Sequence, residues 1–305
     1  MLVFAASDKG GTGRSVTGSN MLYRHALAGA DVCYLDFDFG SPTVGTIFQV
    51  DSVGRGVMTG GLHSYLAGMV AAPHRVDVWT ESDRAGLRGL SAGTGRLVLL
   101  PGDQGGGEFP TSPEMVRRCA DLLLRLESEF DVCLIDLSAG RSYATQLALA
   151  ATALPAMRNI PARWLVFHRW TRQHVLAAAG LVYGDNGIVA TGASLGHDQT
   201  GLLESIRFVR TAIVDLESPE LAGLRPEQIA WLREINRELQ ELASRSRLGR
   251  TTLLGVAPLD PLLQWREQIV SNDDVLVRGI ANQATIDAFA MLARAMVDDA
   301  AWEVL

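Results

Sequence analysis

The segment Asp8-Lys9-Gly10-Gly11-Thr12-Gly13-Arg14-Ser15 comes close to a phosphate-binding loop. In the usual form, G-x-x-x-x-G-K-[ST], glycines let backbone N–H groups turn toward an anion, and the following helix adds its positive N-terminal end. Glycines 10, 11 and 13 are in place here, and Ser15 stands where a hydroxyl would ligate a magnesium ion. The slot before the serine, however, holds Arg14, and lysine lies five residues earlier as Lys9. Of 27 cationic residues, 26 are arginine, so Lys9 is the chain's single lysine. Lysine is a compact point charge and arginine a wide planar fork, and a loop packed around phosphate oxygens would tell them apart. A glycine turn alone is a weak signal, since any strand-to-helix turn can use glycine. A chain that uses arginine everywhere except in this turn gives a stronger one.

Two acid-bearing turns add to it. LDFDFG places Asp36 and Asp38 at the end of one apolar stretch, and FDVCLIDLSAG ends another in Asp136. Any one such aspartate is most simply a turn former or helix cap. Together with the glycine loop they form three strand ends, and in open α/β sheets ligands bind at the carboxyl ends of strands. Asp136 is the acid suited to hold a metal.

The elements that must position these residues alternate along the chain. Residues 1–7 read as an apolar strand, and Ser15 to about Ala28 as a helix with Met21, Leu22 and Leu27 on its apolar side. Further strands are predicted at 31–37, 96–102, 130–136 and 162–168, with helices at 61–70, 112–130, 142–154 and 171–184. Continuous apolar strands between amphipathic helices predict a mostly parallel twisted sheet covered on both faces, a three-layer α/β/α domain. Residues 197–250 break the rhythm. Their charged stretch 226–250 predicts a solvated helix within a helical insertion, and residues 252–260 and 281–305 return to strand and closing helix. The expectation is one domain over 1–305 with an insertion at 197–250.

Composition bounds the setting. A net charge of −7 and a pI near 5.4 argue against general nucleic-acid affinity. MLVFAAS is short and lacks a basic leader, and no run approaches the roughly 20 apolar residues that span a bilayer. Cys33, Cys119 and Cys133 form no CxxC pair, which fits buried thiols in a reduced cytoplasm. Cytoplasmic residence is expected.

The segment Lys9–Ser15 resembles the deviant phosphate loop of the MinD/ParA ATPases, K-G-G-x-G-K-[ST], in which the first lysine is diagnostic. LDFDFG resembles the switch I sequence of MinD, IDLSAG its switch II motif, LVLLPGD the strand and turn between them, and GVAPLDP a late strand whose loop borders the adenine. Asn20 falls where that family often has asparagine. The resemblance covers about residues 1–200 and 250–297, and extends to an actinobacterial variant group with K-G-G-x-G-R-S. It implies a P-loop NTPase fold, ATP and Mg²⁺ as cofactors, and a nucleotide-dependent homodimer acting as a switch on a protein partner. By position, Lys9 would reach the partner subunit's nucleotide, and Gly10, Gly11, Thr12, Gly13, Arg14, Ser15 and Val16 would wrap the phosphates. Pro258 and Asp260 would border the base. Asp38 would orient the attacking water, while Ser15, Asp36 and Asp136 would serve the metal.

Two positions depart from that pattern. Arg14 replaces the lysine that bridges the β- and γ-phosphates, and Leu137-Ser138 replaces the usual x-Pro of switch II. Losing a stabilising cation of this kind costs about 3 to 5 powers of ten in rate. Nucleotide binding with slow or absent hydrolysis is therefore expected; the alternative is a pseudo-ATPase scaffold that binds nucleotide or partner constitutively. Membrane cycling as in MinD needs a basic C-terminal helix, whereas this chain ends DDAAWEVL. DNA cycling as in ParA needs a basic patch, and the arginines between 207 and 250 are matched by acids.

Overall fold

The computed structural model describes residues 1–88, 92–214 and 223–303. Eight strands make one sheet: β1 Leu2–Ala6, β2 Val32–Phe37, β3 Val76–Asp77, β4 Leu97–Leu100, β5 Val132–Leu137, β6 Ala162–Arg169, β7 Ile206–Ile213 and β8 Leu253–Pro258. Their order is β3-β4-β2-β5-β1-β6-β7-β8, parallel throughout except for the short antiparallel edge strand β3. The order reverses at β1, so the loop leaving β1 lies beside the ends of β5 and β6.

Strand alternation divides the core in two. On one face Leu2, Phe4 and Ala6 of β1 pack with the helices Pro113–Glu129, Tyr143–Thr152 and Arg172–Tyr183. On the other, Val3 and Ala5 pack with α1 (Arg14–Leu27) and the helix Gln283–Val297. Strands buried on both faces have no polar side to show, which is why they read as unbroken apolar runs. The expected three-layer α/β/α sheet is the observed one.

The 197–250 stretch is where the structure departs from the sequence reading. It is not a helical insertion throughout, because Ile206–Ile213 is an interior strand paired on both sides. IRFVRTAI carries two arginines and was hidden by them. Arg207 lies buried against backbone carbonyls, and Arg210 stacks on Trp170. The helix Pro226–Arg245 packs on the outside of the helix Arg172–Tyr183, with Leu239 and Ala243 its buried residues. The closing helix ends at Val297, followed by a single 3-10 turn, Asp299–Ala301. Residues 215–222 of the expected insertion, and Val304 and Leu305 of the expected closing helix, lie outside the described residues.

Candidate functional site

The loop between β1 and α1 turns through two glycines in the left-handed region, Gly11 (φ 69°) and Gly13 (φ 72°), where any other residue would be strained. A side chain at Gly10 or Gly11 would meet open space, so this face of the loop is clear for a ligand. Gly13 begins α1 with no side-chain cap, and no acid occupies the first turn. The first backbone N–H groups of the helix therefore retain their preference for an anion. The loop is anchored from outside: the Thr211 hydroxyl at the end of β7 donates to the Thr12 carbonyl, and Gly140 N–H donates to the Ser7 carbonyl at 2.7 Å. Ser15 is half-buried in the first turn, and Val16 is buried beneath it.

Register brings the acids together. Asp36 and Asp136 face each other across β2 and β5, and Asp136 also neighbours Ala5 of β1. All sit on the α1 side of the sheet, below the loop. Arg14 points down into them. Its Nε donates to Asp136 Oδ1, one terminal nitrogen to Asp38 Oδ2 at 3.1 Å, and the other to Ser7 Oγ at 3.1 Å. The second oxygen of Asp136 accepts from the Tyr34 hydroxyl at 2.6 Å. Burial works against the Arg14 charge, yet Asp136 and Asp38 outweigh it and hold the guanidinium above its ordinary pKa. Burial, then the Asp136 charge, pushes Asp36 well above the carboxylate range; its oxygens accept from the Val44 and Asp38 backbone N–H groups, each at 3.3 Å. Asp38, three-tenths exposed, is raised by burial against the pull of Arg14.

Lys9 sits apart from this network, half-buried on the loop. It lies near His174, whose pKa is lowered by burial, then by Arg169 and Lys9. The two cations of the motif thus face different ways: Arg14 is turned to the acids, and Lys9 lies toward the cationic start of helix Arg172–Tyr183.

Ser138, the departure from the proline of the resembled pattern, has a local role. Its hydroxyl donates to the Phe37 carbonyl at 3.1 Å and accepts from Phe39 N–H at 3.0 Å. One side chain clasps the turn after β2 to the turn after β5, a bond proline could not make. The glycine-rich loop 102–109 also bridges these turns. Glu108 accepts from the Tyr143 N–H at 3.1 Å, and Phe109 packs on Phe39 with ring centroids 4.8 Å apart. Arg141 pairs with Asp8 at 3.0 Å.

A cavity of about 200 Å³ adjoins the loop, walled by Gly11, Thr17, Thr211, Arg169, Pro258 and Phe289 among others. Asp260 also lies on its wall, almost fully buried. Its carboxylate accepts from Leu262 N–H, Asn282 N–H and the Thr285 hydroxyl, fastening helix Pro261–Trp265 to helix Gln283–Val297. Asn20 is likewise structural, bonding the Gln268 carbonyl and the Val270 N–H. A larger cavity of about 470 Å³ opens at the opposite, amino edge of the sheet beside Leu2, Trp164 and His197. It is far from the loop and the acids, so size does not mark the site. His168 is buried and pushed down to about 4, chiefly by burial. Trp170 donates to Asn236 at 2.8 Å, while its neighbour Arg169 lines the cavity.

The sequence matches no family model and no curated protein. Solved structures match it along nearly its whole length. MinD from Pyrococcus horikoshii, solved with Mg-ADP, is 16% identical with a TM-score of 0.56, over 98% of this chain and 96% of that one. A putative plasmid partition protein from Borrelia burgdorferi, bound to AMPPNP, is 13% identical with a TM-score of 0.60, over 97% and 98%. ParA of pNOB8, bound to nonspecific DNA, is 15% identical with a TM-score of 0.58, over 97% of each chain. The chain has the fold of the MinD and ParA-type P-loop NTPases.

The groups that such structures hold can be tested against the residues here. A nucleotide fits: the loop face is clear, the start of α1 is uncapped, and a cavity stands beside it. The magnesium set does not fit as arranged. Asp136, the expected metal acid, has Arg14 on one oxygen and Tyr34 on the other, and both Asp36 oxygens accept from backbone. Among the described residues no group of three or more metal-ligating side chains is poised around a common point. Tyr34, Ser7 and Ser138 were not legible as site residues, because Tyr34 reads as core and the serines as turns. Their signal is positional: Tyr34 lies two residues before Asp36 and so shares its face of β2.

Proposed function

We propose that this chain binds ATP on the loop Lys9–Ser15 and acts as a nucleotide-dependent dimerising switch toward a protein partner in the cytoplasm, with hydrolysis slow or absent. The backbone of Gly10 to Gly13 and the start of α1 would hold the phosphates, and the cavity beside Pro258 would take the base. ATP brings a γ-phosphoryl group whose charge a second subunit can sense. Lys9, outside the acid network, is free to meet that charge across a dimer.

The observation that carries the silent-hydrolysis part is the placement of Arg14. Phosphoryl transfer relies on positioned cations and an oriented water rather than on covalent chemistry by the protein. Here the loop cation is held by Asp136 and Asp38, and Asp38 is the acid that would otherwise orient the water. Both catalytic positions are engaged with each other. The scaffold alternative differs in one respect, since its self-association would ignore nucleotide. No helix among the described residues is long and apolar enough to cross a membrane, and the net charge of −7 argues against DNA as the partner.

Calorimetric titration with ATP, paired with sedimentation, tests this reading. Micromolar binding and nucleotide-dependent dimers are expected, with dimers lost in Lys9→Ala. Binding without any change in sedimentation selects the scaffold, and no heat with ATP, ADP or GTP removes the nucleotide reading altogether.

A further inference from the structure

The acids at the carboxyl edge are already neutralised from within. Three carboxylates, Asp36, Asp38 and Asp136, lie near one another where the turns after β2 and β5 meet below the loop, and their negative charge needs a counter-charge. Arg14 supplies the charge instead. All three of its guanidinium nitrogens have protein partners: Asp136, Asp38 and Ser7. Asp136 is 1% exposed and Arg14 6%, so this pair is out of reach of bulk ions. Tyr34 closes the remaining side of Asp136 with a 2.6 Å hydrogen bond.

The fork geometry matters. A guanidinium is planar, always charged, and bonds two carboxylates at once through fixed N–H directions. Magnesium demands octahedral oxygen and keeps several waters, so it needs room and unengaged acceptor oxygens. Reaching Asp136 would require expelling Arg14 from a pocket where both partners are desolvated, leaving an unpaired buried charge.

We propose that this site takes its phosphate ligand without a divalent cation. The Arg14 guanidinium, locked between Asp136 and Asp38, takes the place of bound magnesium in neutralising those acids, and a metal-free nucleoside di- or triphosphate is held by the loop amides and the start of α1. This rests on the nucleotide reading and narrows it to the free nucleotide anion. It also sets the sign of the magnesium effect. Excess magnesium converts free ATP in solution into its metal complex, so affinity should stay level or weaken when magnesium is added.

The test is calorimetric titration of the full chain with ATP and with ADP, once in EDTA and once in excess magnesium, with Arg14→Lys alongside. Manganese replaces magnesium in a parallel sample read by electron paramagnetic resonance. For the wild type, affinity in EDTA equal to or above that in magnesium is expected, with no manganese signal beyond that of manganese–ATP in solution. Arg14→Lys, whose shorter point charge frees the acids, should bind about tenfold tighter with magnesium than without, a factor readable directly in Kd. Wild-type binding that tightens about tenfold on adding magnesium, or a protein-immobilised manganese signal that appears only with nucleotide and exceeds that of manganese–ATP alone, overturns the proposal and leaves the nucleotide reading intact. No heat in either buffer overturns both. The manganese arm uses the wild type alone, so the answer survives a poorly folded variant.

Discussion

Arginine is buried at both ends of the sheet, in opposite company. At the carboxyl edge Arg14 meets two carboxylates, so charge faces charge. At the amino edge Arg163 and Arg207 mostly meet neutral groups. Arg163 donates to the Met296 carbonyl at 2.6 Å and reaches the exposed Asp299, while Arg207 donates to the carbonyls of Glu204, Ala301 and Trp302. The Trp302 ring lies between them, 4.7 and 5.1 Å from the two guanidinium carbons. The amino-edge pair pins the end of the chain to β6 and β7. Carbonyl dipoles and a ring suffice for that, and the partners lose little if the cation goes. The carboxyl-edge pair fixes charge where a phosphate ligand would arrive, and there each partner depends on the other.

Removing one cation from each end puts that contrast to measurement. Arg14→Ala leaves Asp136 and Asp38 without their cation, and stability should fall by about 3–5 kcal/mol, the cost of breaking a buried pair. Chemical denaturation reads this directly, and a loss below about 1 kcal/mol would place Arg14 with the solvated arginines. A titration at the carboxyl edge gives the next effect. His168 stays neutral in the fold with a pKa of about 4, against 6.5 in the ordinary state. On acidification the unfolded chain takes up this proton first. Stability is therefore intact above pH 6.5 and declines as pH falls toward 4, by roughly 3 kcal/mol in all. Denaturation midpoints across that range should show the slope in the wild type and lose it in His168→Phe. An unchanged slope in the variant would mean that the surrounding carboxylates carry the effect. The smallest change is expected at the amino edge. Arg207→Ala removes hydrogen bonds from a cation to carbonyls but strands no charge, and should cost about 1.5–3 kcal/mol. A loss matching that of Arg14→Ala would erase the distinction between the two ends.

Much of this was legible from residues alone, for definite reasons. Strands buried on both faces need apolar runs, so β1, β2, β4, β5 and β6 announce themselves. Left-handed turns need glycine, so Gly11 and Gly13 mark the loop. β7 escaped because its arginines Arg207 and Arg210 bury themselves on carbonyls and a ring, partners that no local pattern reveals. The partners of Asp260 are equally hidden: beside the local Leu262 N–H, it accepts from Asn282 and Thr285, more than 20 positions on.

The sequence by itself determined the three-layer architecture, the loop and its single lysine, and which strand ends carry acid. Those follow from local chemistry: alternation, backbone freedom at glycine, and the burial of apolar runs. Only the tertiary structure decided where Arg14 points. In sequence it stands in the phosphate-facing slot of the loop. In the fold, parallel pairing of β2 with β5 brings Asp36, Asp38 and Asp136 beneath it, 22 to 122 positions away in the chain, and the nearest strong counter-charge takes the guanidinium. A charged side chain turns to whichever partner the fold desolvates beside it, and that is a property of topology rather than of spacing.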